Sequence, residues 1–135
     1  MNFRFRGALL GLVLLLSGVP ALAHHSFQAE FDEKLQFQLT GVLSKVEWIN
    51  PHTYFHLDVK DETGKVTTWA IESFGPAGLR RAGLSRVGLF KVGDTYTVTV
   101  CGAKDGSKNL AWLKDFKFPD GRVVTIWWGD VNDVR

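Results

Sequence analysis

From Phe37 onward, apolar and polar residues alternate in short runs broken by turn residues, the period of half-buried β-strands. Thr53 to Val59 is the cleanest run: Phe55, Leu57 and Val59 share one face, Tyr54, His56 and Asp58 the other. Asp61-Glu62-Thr63-Gly64 reads as a hairpin turn into a strand from Val66 to Ser73. Placing Phe55 opposite Ile71 and Leu57 opposite Trp69 gathers the large apolar groups on one side. That register sets Tyr54 opposite Glu72 and His56 opposite Ala70, all turned away from the core. The preceding run, Phe37 to Ile49, changes parity. Phe37 and Leu39 fall on one count and Val42, Val46 and Trp48 on the other, which predicts a β-bulge at the intervening Gly41.

Gly75-Pro76 opens a different texture. Proline suits a helix's first turn, and Ala77, Leu79, Arg80 and Arg81 continue a short helix, with Ser85 placed to cap a further turn. Val92-Gly93-Asp94 turns into a strand from Thr95 to Cys101, with Tyr96, Val98 and Val100 on one face and Cys101 on the other. Further strands are expected from Leu110 to Phe118 and from Val123 to Trp128. Three meandering strands, one short helix and two or three more strands predict an all-β fold. Their order matches a small Greek-key β-barrel resembling an OB-fold, with the helix between strands 3 and 4. A small β-sandwich shares most of these signals.

The N-terminus follows another pattern. Arg4 and Arg6 precede an apolar run from Ala8 to Val19, and Ala21-Leu22-Ala23 supplies small residues for signal-peptidase cleavage. The apolar run is about a dozen residues, short of the ~20 that span a bilayer as a helix. The expected organisation is a signal peptide (1–23), a polar arm (24–35) and a barrel domain (36–135). The mature protein is then periplasmic or secreted, begins at His24, and leaves the membrane on cleavage. The chain's net charge of +2 belongs to Arg4 and Arg6; the remaining basic residues equal the 14 acidic ones. A neutral exported domain has no basic field for nucleic acid, so none is expected as a partner. Cys101 is the single cysteine, which rules out an intramolecular disulfide.

The four histidines form two clusters, His24 with His25 and His52 with His56. An N-terminal histidine offers its α-amine and imidazole as a chelating pair, and nitrogen-rich sets of this kind suit Cu(II) or Ni(II). His52 and His56 lie roughly 13 Å apart along a strand, too far for one ion with ~2 Å bonds. The candidate metal residues are therefore His24, His25 and His52, with Glu72 as a further ligand or outer partner, and the expected metal is Cu(II). For the arm to reach His52 it must fold back along the barrel, or the first strand must curl. Plainer readings stay open: an exposed histidine end, and a simple turn at Asn50-Pro51-His52. Cys101 has no activating context, and neither a phosphate-cradling loop nor a zinc-type cysteine set is present. No catalytic constellation emerges, and an enzyme is not expected.

Several segments together resemble a known family. They are His24-His25-Ser26-Phe27, Leu39-Thr40-Gly41-Val42, Val46 to His52 with its Asn50-Pro51-His52, Leu57 to Asp61, Trp69-Ala70-Ile71-Glu72, and Gly93-Asp94 leading to Thr97–Val100. The resemblance is to the exported bacterial family catalogued as domain of unknown function 6152. It implies a small periplasmic β-domain from Gram-negative bacteria and no particular activity. The chain departs from that pattern at Cys101 and in the tail Trp127-Trp128. The resulting expectation is an exported periplasmic binding module that takes copper through a mature N-terminal histidine. The alternative is a metal-free adaptor that binds a periplasmic protein or a small ligand on the barrel surface around Tyr54, His56 and Trp48.

Overall fold

The chain enters the fold through one helical turn, α1 (Phe27–Glu30), and passes directly into an 18-residue strand, β1 (Phe31–Trp48). These elements are seen in a computed structural model that describes residues 27–84 and 88–126. The predicted signal peptide, His24, His25, Ser85 and Trp127-Trp128 lie outside the described residues. Part of the stretch expected to be a polar arm is folded: Phe31 to Leu35 belong to β1, and Phe31 is 1% exposed. Parity could not show this, because Phe31 packs against residues far along the chain.

One half of β1 pairs with β4 (Thr95–Ala103) and the other with β2 (His52–Lys60), both antiparallel, as a bent strand does when it closes a small barrel. The break in the β1–β2 ladder falls between Leu43 and Lys45, and the β1–β4 ladder runs unbroken through Gly41. The bulge is thus at Ser44, and not at Gly41 as the parity change suggested. Ser44 donates its hydroxyl to the His56 carbonyl at 3.2 Å. Gly41 answers a different need, since a Cβ there would lie 2.7 Å from the Asp58 carbonyl oxygen.

Strands β2 and β3 (Val66–Phe74) form the expected hairpin in the expected register: Phe55 faces Ile71, Leu57 faces Trp69, Tyr54 faces Glu72 and His56 faces Ala70. Its turn is tied by Asp61 Oδ1, which accepts the backbone N–H of Thr63 and of Lys65, while Gly64 takes a φ of +88° that glycine accommodates freely. Strand β5 (Leu110–Lys117) pairs antiparallel with β4 and parallel with β3 through Ala70–Glu72, which closes the sheet. A short β6 (Val123–Thr125) extends β5. The architecture is all-β, a closed Greek-key barrel of the OB type. Helix α2 (Pro76–Arg81) lies between β3 and β4 and sends Leu79 into the core. The interior is filled by Leu43, Phe55, Leu57, Ile71, Tyr96, Val98, Leu113 and Phe116. Among the described residues no helix is long and apolar enough to cross a membrane.

Gly75, which precedes α2, sits against the Asn50-Pro51-His52 segment. A Cβ at this position would lie 2.4 Å from the Pro51 carbonyl oxygen, a backbone atom that cannot step aside alone. Gly75→Ala is expected to destabilise the protein by about 1–3 kcal/mol, the usual cost of overpacking, as read by urea unfolding. An unchanged midpoint would show that the two segments separate without penalty.

Candidate functional site

The face of the β2–β3 hairpin that sequence parity turns outward is covered at one end. Helix α1 brings the chain's N-terminal side back onto it, and the rings of Phe27 and Phe31 rest 5.7 and 5.6 Å from the Trp112 indole. The same indole meets Phe74 at 5.5 Å and the His52 imidazole at 5.5 Å, the latter edge-on at 88°. Phe31, Cys101, Ala103 and Trp112 thus form a second apolar cluster, separate from the barrel interior. Cys101, expected on the polar face of its strand, is buried there because both faces of β4 are covered at this end. Burial pushes its thiol pKa up, away from the reactive thiolate.

Glu72 lies beneath this cover, only 4% exposed. Its Oε1 is paired directly with His52 Nδ1, and it shares a side-chain hydrogen bond with Tyr54, the residue opposite it across the hairpin. Burial pushes the Glu72 carboxyl above the usual carboxylate range; His52 opposes that shift and the charge of Glu30 reinforces it. The Tyr54 phenol is pushed up to about 12, by burial first and then by the neighbouring Glu72 charge. Tyr54 therefore stays a hydroxyl donor over the whole physiological range. Glu72 thus meets both Tyr54 and the Nδ1 edge of His52, and Nε2 is the other ring nitrogen of that imidazole.

A second carboxylate–histidine pair lies on the other side of Tyr54. Glu47, opposite Tyr54 on β1, contacts His56 Nε2 at 2.7 Å and accepts a hydrogen bond from Lys45 Nζ at 2.6 Å. These hydrogen bonds, that from Lys45 foremost, hold the Glu47 carboxyl below its ordinary value. His56 is thereby turned to Glu47, and the two histidines serve separate carboxylates.

Of the four candidate metal residues, the structure brings His52 and Glu72 into contact; His24 and His25 are outside the described residues. Among the described residues, no three His, Cys, Asp or Glu side chains are grouped so as to hold a metal ion. Sequence reasoning missed Phe27, Phe31 and Trp112 as the cover and Tyr54 as the partner of Glu72. The second was signalled by the register that set Tyr54 opposite Glu72. Trp48 packs against Phe55 and Phe90, on the core side of the sheet and away from Tyr54 and His56.

A family model described as "Family of unknown function (DUF6152)" matches residues 12–111. No match is found among curated proteins. Among solved structures, the chain is similar to the mitochondrial single-stranded DNA-binding protein Rim1 of S. cerevisiae, with 11% identity and a TM-score of 0.47, covering 64% of this chain and 92% of that one.

Proposed function

The chain belongs to the family of unknown function DUF6152, and we propose that it is an exported copper-binding module. Its site would join the N-terminal His24, assisted by His25, to His52 on the barrel, with Glu72 behind His52. One observation supports this reading above the others: Phe27 and His52 meet the same Trp112 indole. Helix α1 supplies the fold-back that a composite site needs, since the N-terminal end of the described chain lies beside the His52–Glu72 pair. His24 precedes Phe27 by three residues, a span of at most ~11 Å of chain.

Cleavage after Ala23 would free the His24 α-amine to act with its imidazole, and His52 Nε2 would add another nitrogen. Such a donor set suits Cu(II). The bond from His52 Nδ1 to a carboxylate is the arrangement that orients a metal-ligating imidazole and raises its basicity. Tyr54 in turn steadies Glu72. Copper bound there would be held, and the chain's own residues orient the imidazole and exclude water from its far side.

The test uses protein exported to a bacterial periplasm, purified, and checked by mass spectrometry for His24 as first residue. Titration with Cu(II), followed by electron paramagnetic resonance, should show one sub-micromolar site with nitrogen hyperfine structure. His24→Ala should weaken binding by about 100-fold or more, equivalent to ~2.7 kcal/mol or more. Glu72→Gln, which leaves all proposed nitrogen ligands in place, should weaken it by about 10–100-fold. A different first residue, or equal affinity in His24→Ala, overturns the proposal and favours the metal-free adaptor.

A further inference from the structure

Charge is divided between the two halves of the barrel. Residues 27–74, which build α1 and the neighbouring strands β1, β2 and β3, hold eight carboxylates against four lysines, a net charge of −4 with histidines neutral. The described residues from Gly75 to Ile126, which build α2, β4, β5 and β6, hold eight lysines and arginines against four aspartates, a net charge of +4. Seven of those eight cations are exposed; Lys114 is half-buried and donates to Gln36. The sheet order β3-β2-β1-β4-β5-β6 keeps each group of strands contiguous, so the partition along the chain becomes an acidic wall and a basic wall.

Local hydrogen bonds leave this contrast standing. On the acidic wall, Glu47 takes Lys45 and Asp61 ties its own turn, and both carboxyls are held below their ordinary values, so they stay ionised. On the basic wall, Asp105 and Asp120 accept the backbone N–H groups of Ser107 and Arg122 in their own turns. Each wall also exposes large apolar residues: Ile49 and Val66 on the acidic one, Val92 and Val123 on the basic one.

We propose that the acidic wall of one copy docks on the basic wall of a second copy, head to tail. The occupant follows from the charges. Equal and opposite walls fit one another, and the chain beyond Arg4 and Arg6 has no net charge to set copies repelling at long range. A polyanion or an anionic membrane would meet the basic wall and gain nothing from the acidic one. Opposite charges fix the orientation, and the exposed apolar residues add contact area. Because the joined patches differ, each docked copy still presents one unused wall, and association continues until a ring closes. Copper plays no part in it.

Sedimentation velocity on the exported, processed protein, with a chelator present, tests the contact. In about 20 mM salt the average mass should rise with concentration up to about 1 mM protein. In about 300 mM salt the screening length falls from ~20 to ~6 Å, and association should weaken by about tenfold or more. Lys91→Glu with Lys117→Glu brings the basic wall to zero net charge, and Glu33→Lys with Glu62→Lys does the same for the acidic wall; all four residues are exposed. Each double variant alone should associate about tenfold or more weakly at low salt, with an unchanged urea midpoint. Mixed, the two should form a 1:1 pair that grows no further, because each retains the one wall the other needs. Monomers at every concentration in low salt overturn the proposal, as does association that salt or either double variant leaves unchanged. Wild-type protein that stays monomeric yet binds phosphatidylglycerol vesicles through Lys91 and Lys117 overturns it in favour of a membrane surface.

Discussion

Phe55→Ala destabilises the barrel by about 3–5 kcal/mol, the expected cost of deleting a fully buried aromatic ring. The ring is 0% exposed and touches parts of the chain that meet only on folding: Phe90 at 4.8 Å, Phe116 of β5 at 5.3 Å and Trp48 of β1 at 6.3 Å. A closed sheet cannot collapse inward to refill the space, because each wall strand is held at fixed spacing by hydrogen bonds to both neighbours. The loss is a large fraction of the ~5–15 kcal/mol that holds a typical domain together, and it should lower the melting temperature by more than about 10 °C. Val123→Ala, at a valine 55% exposed on β6, is the matched control and should fall within ~0.5 kcal/mol of wild type. Thermal and urea unfolding followed by circular dichroism measure both. A loss below ~2 kcal/mol at Phe55 would mean that the interior does not close around this ring.

The elements legible in the sequence are those whose burial is decided locally. Phe55, Leu57 and Val59 alternate with polar residues and face a hairpin partner only a few residues away, so period and turn chemistry suffice to give the β2–β3 register. The helix after Gly75-Pro76 is legible for the same reason. Gly41 misled because a parity change locates a bend only to within a few residues, and the glycine beside it serves a close approach to Asp58. The second cluster was not legible at all. Ala111, Trp112 and Leu113 are consecutive buried residues, since β5 is covered on both faces, and no alternation survives there. The cover comes from Phe27 and Phe31, some 80 residues upstream, in a stretch whose composition reads as polar. Glu72, which the hairpin register turned away from the core, is therefore buried all the same. The pairing of His52 with Glu72 was within reach because it depends only on the hairpin; what closes over it depends on tertiary structure.

That pairing has a second consequence, measurable in metal-free protein. His52→Ala removes the imidazole partner from a carboxyl group that is 4% exposed, and Tyr54 is left as its side-chain partner. Leaving a buried carboxylate short of a hydrogen-bond partner costs about 1–3 kcal/mol, and more where the group is charged. The His52 side chain is 23% exposed, so water can partly replace it, and the expected loss at pH 7.5 is about 2–3 kcal/mol. The loss depends on pH with a definite sign. Burial holds the Glu72 carboxyl above its ordinary value, and His52 is the main influence pulling it back, so the substitution raises it further. Between the unfolded and folded values the folded state binds more protons, so the variant gains stability as pH falls. That contribution is complete below the ordinary glutamate range and disappears as pH rises through the raised folded value. The gap between His52→Ala and wild type should accordingly be widest near pH 7.5 and narrow towards pH 5, in urea melts with a chelator present. Adding Glu72→Gln to His52→Ala replaces the stranded charge by a neutral amide and should recover part of the loss, with a coupling of at least ~1 kcal/mol in the double-mutant cycle. A gap of constant size across this range, together with additive single losses, would mean that His52 does not compensate a buried charge, and the imidazole would lose the partner that orients it.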